Sequence, residues 1–158
     1  MSDIEAIQAL KYAYVRFLDQ KQWDRLGELF VEDATAAYSG GKYSYAGRDA
    51  IINFLQTNMG RDGFHSSHRM HHPEISVDGD TATGIWAMDD VNVDTDFDFY
   101  LSGAGFYEDR YRRVGGSWKI AHTGYKRTFE TIMPMRANSM SVTASWWNTG
   151  GQSSLEVQ

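Results

Sequence analysis

The sequence predicts an α+β domain, a cone-shaped α+β barrel with three N-terminal helices packed on a strongly curved mixed or antiparallel sheet. Two observations carry this. Apolar residues recur at helical spacing only in the first part of the chain, and from Ser66 onward they alternate with polar ones in long runs closed by glycine-containing turns. A third bounds the size: 158 residues, 42% apolar and 23% charged, make one domain able to bury a core.

Ile4, Ile7, Leu10, Tyr14, Phe17 and Leu18 fall at helical spacing and predict an amphipathic helix over about residues 3–18. Ser2 and Asp3 are its N-cap candidates, and Glu5 suits the positive end of the helix dipole. The link Gln20-Lys21-Gln22-Trp23 leads to Asp24, the N-cap candidate of a second helix carrying Leu26, Leu29 and Phe30. Short extended pieces at Ala36–Tyr38 and Lys42–Ala46 flank Ser39-Gly40-Gly41, which reads as a hairpin turn. Gly47-Arg48-Asp49 opens a third helix with Ile51, Ile52, Phe54 and Leu55. Ile75 and Val77 then alternate with polar residues, Asp78-Gly79-Asp80 turns tightly, and Ala82 to Val93 returns. Residues 99–114 and 117–130 form a second long hairpin closed by Gly115-Gly116. Strands of that length bend, and helices laid over a bent sheet leave a pocket. Residues 1–133 are the domain by this reading, and residues 134–158, rich in Ser, Asn and Gly, are an irregular tail. Trp146 and Trp147 in that tail are costly to expose and are expected against this subunit or a neighbour.

The net charge of −6 argues against a nucleic-acid or anionic-membrane partner. The absence of cysteine excludes disulfides and thiolate metal sites. No apolar run is long enough to span a bilayer, and Met1-Ser2-Asp3-Ile4-Glu5 has no apolar signal core, so the cytoplasm is the expected compartment. An aromatic content of 14% suits a cavity for a flat hydrophobic molecule.

Asp19 is the informative residue, because a carboxylate is badly placed at a helix C-terminus, where the dipole favours cations. It is either an exposed turn residue or the orienting partner of a histidine, whose tautomer a carboxylate fixes. Four histidines lie in His65-Ser66-Ser67-His68-Arg69-Met70-His71-His72. On a strand, His68 and His72 share a face and His71 takes the other, a poor metal spacing, so no metal is expected. His68 is at the depth a helix-end carboxylate reaches. Tyr14 is on the buried stripe, either as a core tyrosine or with its hydroxyl aimed inward. Asp90 follows Trp86 and Met88 at strand spacing; with those two buried it faces an apolar pocket, stays protonated and acts as a general acid, whereas reversed parity puts Asp89 there. Tyr38 is a fifth inward polar candidate. Trp86, Met88, Tyr107 and Phe54 are the candidates for a substrate-binding wall, with Tyr111 beside Tyr107.

At these residues the chain resembles the SnoaL-like branch of the nuclear-transport-factor-like superfamily, which includes scytalone dehydratase and the bile-acid dehydratases. The resemblance spans about residues 3–130 and is carried by Lys11-Tyr12-Ala13-Tyr14-Val15-Arg16-Phe17-Leu18-Asp19, by Trp23 to Ala34, by His68-Arg69-Met70-His71-His72-Pro73-Glu74-Ile75, by Asp78-Gly79-Asp80-Thr81-Ala82 and by Gly116-Ser117-Trp118-Lys119-Ile120. It implies an Asp19–His68 pair, with Tyr14, Tyr38 and Asp90 completing the set of the bile-acid dehydratases. The related dehydrochlorinase carries an arginine on the last strand, where this chain is read as offering Thr123, a departure that favours loss of water over dehalogenation. The implied activity is a cofactor-independent lyase, a dehydratase acting on a polycyclic, steroid-like or aromatic hydroxylated substrate. A ketosteroid-type isomerase or a polyketide cyclase uses the same parts. The non-catalytic alternative is a ligand-binding or dioxygenase small-subunit-like module. The resemblance and the tail also imply a homo-oligomer, a trimer or dimer.

Overall fold

The computed structural model describes residues 1–156. Helix α1 runs from Asp3 to Asp19 and begins with a capping box: the Ser2 hydroxyl accepts from the Glu5 amide at 3.2 Å while the Ser2 amide donates to Glu5 Oε2 at 2.7 Å. Its buried face carries Ile7, Lys11, Tyr14 and Leu18, three or four residues apart. The second helix, α2, is shorter than its pattern suggests and covers only Trp23–Gly27. Leu26 and Phe30 are both buried, four apart, and mimic a helical stripe, but Phe30 already belongs to strand β1 (Phe30–Tyr38), where it pairs with Ile120. Sheet pairing decides the conformation there against the local pattern. A 3₁₀ turn at Ser39–Gly41 leads to β2 (Tyr43–Ala46), and α3 covers Arg48–Met59.

The long strands are β3 (Phe64–Asp78), β4 (Thr81–Asp94), β5 (Phe99–Val114) and β6 (Ser117–Met133). With β1 and β2 they make one mixed sheet in the order β2-β1-β6-β5-β4-β3, in which only β1 and β6 run parallel. The sheet does not close on itself; β2 and β3 are its edges. Register shifts at His71/Glu74, Ala104/Gly105 and Arg110/Tyr111 mark bulges, which bend strands of this length toward the helices. Helix α1 lies across β3 and β6, and α3 covers β1.

One stripe organises the inner face. On β5 the buried residues Gly103, Gly105, Tyr107, Asp109 and Tyr111 alternate along a single side. The tyrosine half is filled core, with Trp86 and Ile120 against it. The glycine half leaves room for a cavity.

After β6 the chain makes a 3₁₀ turn at Arg136–Asn138 and a short helix, α4 (Trp146–Thr149), begun by a Ser145–Asn148 capping box. Trp147 rests against this chain, 4.3 Å from Lys21 Nζ and 6.0 Å from the His65 ring, while Trp146 remains exposed. Among the described residues no helix is long and apolar enough to cross a membrane.

Candidate active site

Asp19 closes α1 with its side chain turned to β3, where donors supply what the helix end withholds. Its carboxylate accepts from Ser66 Oγ at 2.8 Å, from the His68 amide at 2.8 Å and from His68 Nδ1 at 2.6 Å. With the Nδ1 proton held by Asp19, the lone pair of His68 is on Nε2, which lies 3.9 Å from Asp90 Oδ2. His68 and Asp90 are direct partners in the β3–β4 ladder and point to the same face.

Asp90 is the inward carboxylate of its pair; Asp89 faces out and meets His71 Nε2. The role expected of Asp90 needs correction. Arg127 on β6 holds it with a two-pronged contact, Nη1 to Oδ1 at 2.6 Å and Nη2 to Oδ2 at 2.8 Å, and Asn92 Nδ2 donates to Oδ2 at 2.6 Å. Three donors converge on the two oxygens, the arrangement of a carboxylate and not of a proton-donating acid. Hydrogen bonding to Asp90 in turn holds the Arg127 guanidinium above its ordinary value.

Arg127 also corrects the reading of the last strand, and the departure at Thr123 that set water loss over dehalogenation falls away. Thr123 is fully buried and donates to Asp109 Oδ1 at 2.8 Å, away from the cavity, while β6 does present an arginine to it four residues later. Thr123, Tyr125 and Arg127 share one face of β6 by simple alternation. The bulge at Thr128, where Gly105↔Arg127 passes to Ala104↔Phe129, comes after them and turns Glu130 to the same face, 3.3 Å from Arg127 Nε. The available signal was Tyr125 two residues earlier, an aromatic on the inner face.

Across the cavity Tyr14 Oη and Tyr38 Oη lie 3.1 Å apart. Burial raises both phenols well above their ordinary value, so both keep their protons. One proton serves the mutual bond, and Tyr107 is a second hydrogen-bonding neighbour of Tyr14. Behind them sits an ion pair absent from the sequence reading. Lys11 Nζ and Asp109 Oδ2 meet at 2.7 Å, both with no solvent exposure, and Nζ lies 3.6 Å from the Tyr107 ring centre and 4.6 Å from that of Tyr14. The pair is close but lacks the alignment of a hydrogen bond at Nζ, and burial lowers the lysine from its usual value. Asp109 also accepts from Tyr111 at 2.8 Å, and Tyr111 from Trp86 Nε1 at 2.9 Å. Both residues sit on patterns visible in the sequence: Lys11 four after Ile7 on the helix stripe, Asp109 between Tyr107 and Tyr111.

The cavity measures about 390 Å³ and brings together Tyr14, Tyr38, His68, Asp90 and Arg127. Phe54 and Tyr107 line it, as expected of a wall; Trp86 and Met88 do not. Those two lie four and two residues behind Asp90 on β4, in the filled half of the core. Phe54 belongs to an aromatic stack with Tyr45 (4.5 Å between centres) and Tyr43 (5.4 Å). A wider groove of about 760 Å³ between Glu28, Arg48, Arg112 and Lys119 contains none of these groups. Among the described residues no cluster of three or more His, Asp or Glu side chains is placed to hold a metal ion.

A curved sheet with helices on its concave face and a polar-lined cavity at one end defines a class of small α+β domains. Within it, residues 1–124 match the SnoaL-like domain, and the chain belongs to that family. A provisionally named scytalone dehydratase of Novosphingobium aromaticivorans superposes with a TM-score of 0.74 at 26% identity, over 82% of this chain and 86% of that one. A provisionally named aromatic ring hydroxylase of the same organism gives 0.74 at 26%, over 88% and 99%. A type 2 hexachlorocyclohexane dehydrochlorinase gives 0.73 at 21%, over 82% and 87%, which shows a shared fold.

Proposed function

We propose that the protein is a cofactor-independent lyase, a dehydratase that removes water from a hydrophobic, hydroxylated polycyclic or aromatic ketone. The observation that carries this reading is His68 held between two carboxylates, Asp19 at 2.6 Å and Asp90 at 3.9 Å, facing a pair of protonated phenols across a cavity. The likeness to a provisionally named scytalone dehydratase supports it.

In this mechanism His68 Nε2 takes a proton from the carbon next to the substrate carbonyl. The electron pair moves onto the carbonyl oxygen, where Tyr14 or Tyr38 donates to the developing charge. Asp19 and Asp90 stabilise the imidazolium that forms. The enolate then expels the hydroxyl group, which leaves as water with the proton returned from His68. Arg127 holds Asp90 in place beside His68. The partner is a small hydrophobic molecule, and the subunit assembles as a homo-oligomer through its exposed apolar surface.

The test is turnover of bicyclic and steroid β-hydroxy ketones, followed by mass loss of water and by absorbance of the new enone. His68→Ala and Asp19→Asn should each lower kcat by about 10²–10⁴-fold while the fold is kept. Near-full activity in either variant removes the pair from the mechanism. A second reading, a binding or assembly module, predicts instead that ligand affinity survives both substitutions and that no water is lost.

A further inference from the structure

Gly103 stands where the sheet has no room for a side chain. It pairs with Asp90 on one side and Glu130 on the other, so it lies on the strand that separates Asp90 from β6. Arg127, on β6, must cross β5 to reach Asp90, and its guanidinium passes over the inner face of Gly103. A β-carbon at Gly103 would overlap Arg127 Nη1 and stand 3.3 Å from Cζ. The glycine is not needed for its backbone, which is ordinary extended strand and absent from the left-handed conformations. It is needed for space.

From this we infer that Gly103 is a positioning residue: its missing side chain is the lane through which Arg127 reaches across β5 and locks Asp90 beside His68. The inference rests on the reading that the Asp90–Arg127 pair belongs to the reacting site. Its neighbour Gly105 differs in kind. A β-carbon there would overlap the backbone carbonyl of Lys126 and stand 2.9 Å from Arg127 Cα, so Gly105 serves the close approach of two strands. At Gly103 the main obstacle is the far end of a flexible side chain, and that end can move without the fold.

The experiment compares the wild type with Gly103→Ala, Arg127→Ala and the double variant. In the wild type the two-pronged pair hinders rotation of the guanidinium, so ¹⁵N spectra should show separate Arg127 Nη signals. Gly103→Ala should merge them while the chain stays folded. Signals that remain separate in Gly103→Ala overturn the proposal. On a β-hydroxy ketone turned over by the wild type, Gly103→Ala should lower kcat about tenfold to a hundredfold with little change in KM. Released signals with unchanged kcat overturn the link to the reaction. In the Arg127→Ala background Gly103→Ala should change neither kcat nor thermal stability; a further loss there shows a purely structural glycine. The Phe129 carbonyl, 3.0 Å from the added carbon, is the contact that such a structural role would use. Should the wild type dehydrate no such ketone, the proposed reaction fails, and the nitrogen spectra still decide the lane.

Discussion

The two halves of the β5 stripe hold the same chemical device in opposite settings. At the glycine half Asp90 is gripped by Arg127, and at the tyrosine half Asp109 is paired with Lys11. The first pair borders a cavity of about 390 Å³ and the imidazole of His68; the second is sealed under Tyr107, Tyr111 and Trp86. The volume of the side chains on β5 makes this difference, more than the charges do. A buried ion pair becomes part of a site where its strand carries glycine and a strut where its strand carries tyrosine.

High pH should act most strongly, through buried phenols of both halves. Tyr14, Tyr38, Tyr107 and Tyr111 all have folded values raised well above 10.0 by burial, so above that pH the unfolded chain releases protons that the folded chain keeps. Their contribution is intact below the unfolded value and is lost as pH rises beyond it. Each phenol removes about 1.4 kcal/mol per pH unit, and four together about 5.5 kcal/mol per pH unit. Lys11, lowered by burial, opposes them only up to its unfolded value of 10.5. Urea midpoints at pH 9.5 to 11.5, read beside tyrosinate absorbance, should show four of the nine tyrosines ionising only as the chain unfolds. Ionisation of all nine in a folded chain would contradict that burial.

Next in size is Lys11→Met, which strands the Asp109 carboxylate in the core and should cost about 3–5 kcal/mol by urea unfolding. Adding Asp109→Asn should recover most of that loss, because the amide oxygen still accepts from Thr123 or Tyr111. Arg127→Met should cost less, about 1–3 kcal/mol, since Asp90 keeps Asn92 and faces a cavity that admits water. Equal costs for Lys11→Met and Arg127→Met would erase the distinction between strut and site. The smallest effect is expected at Trp147→Ala, within about 0.5 kcal/mol, because its ring rests on Lys21 and His65 and stays half-exposed.

What the sequence disclosed follows the range of the forces involved. The α1 stripe and its capping box are local, and their pattern leads directly to the helix. Phe30 misled because four-residue spacing from Leu26 is shared by a helix and by a strand that happens to begin there; its partner Ile120 is ninety residues away. The inward parity of Asp90 follows from Trp86 and Met88, but its partner Arg127 comes from β6, two strands away. Alternation along β6 puts Thr123, Tyr125 and Arg127 on one face, and only the pairing with β5 shows that Thr123 lies in the filled half and Arg127 at the cavity. Lys11 was legible by position and overlooked by type, since a lysine on an apolar stripe is usually taken to reach for solvent.

The parallel pairing of β1 with β6 has a consequence for how the molecule is made. On the ribosome β1 emerges early with only the short β2 beside it, and its other neighbour arrives some ninety residues later. Until then Phe30, Val31 and Ala34 have nothing to pack against on that side. Such distant pairing slows folding and leaves an unpaired strand open to wrong partners while synthesis continues. Chains stopped before Ser117 should therefore be prone to clump, and the final long strand acts as the clasp that makes the nascent chain safe.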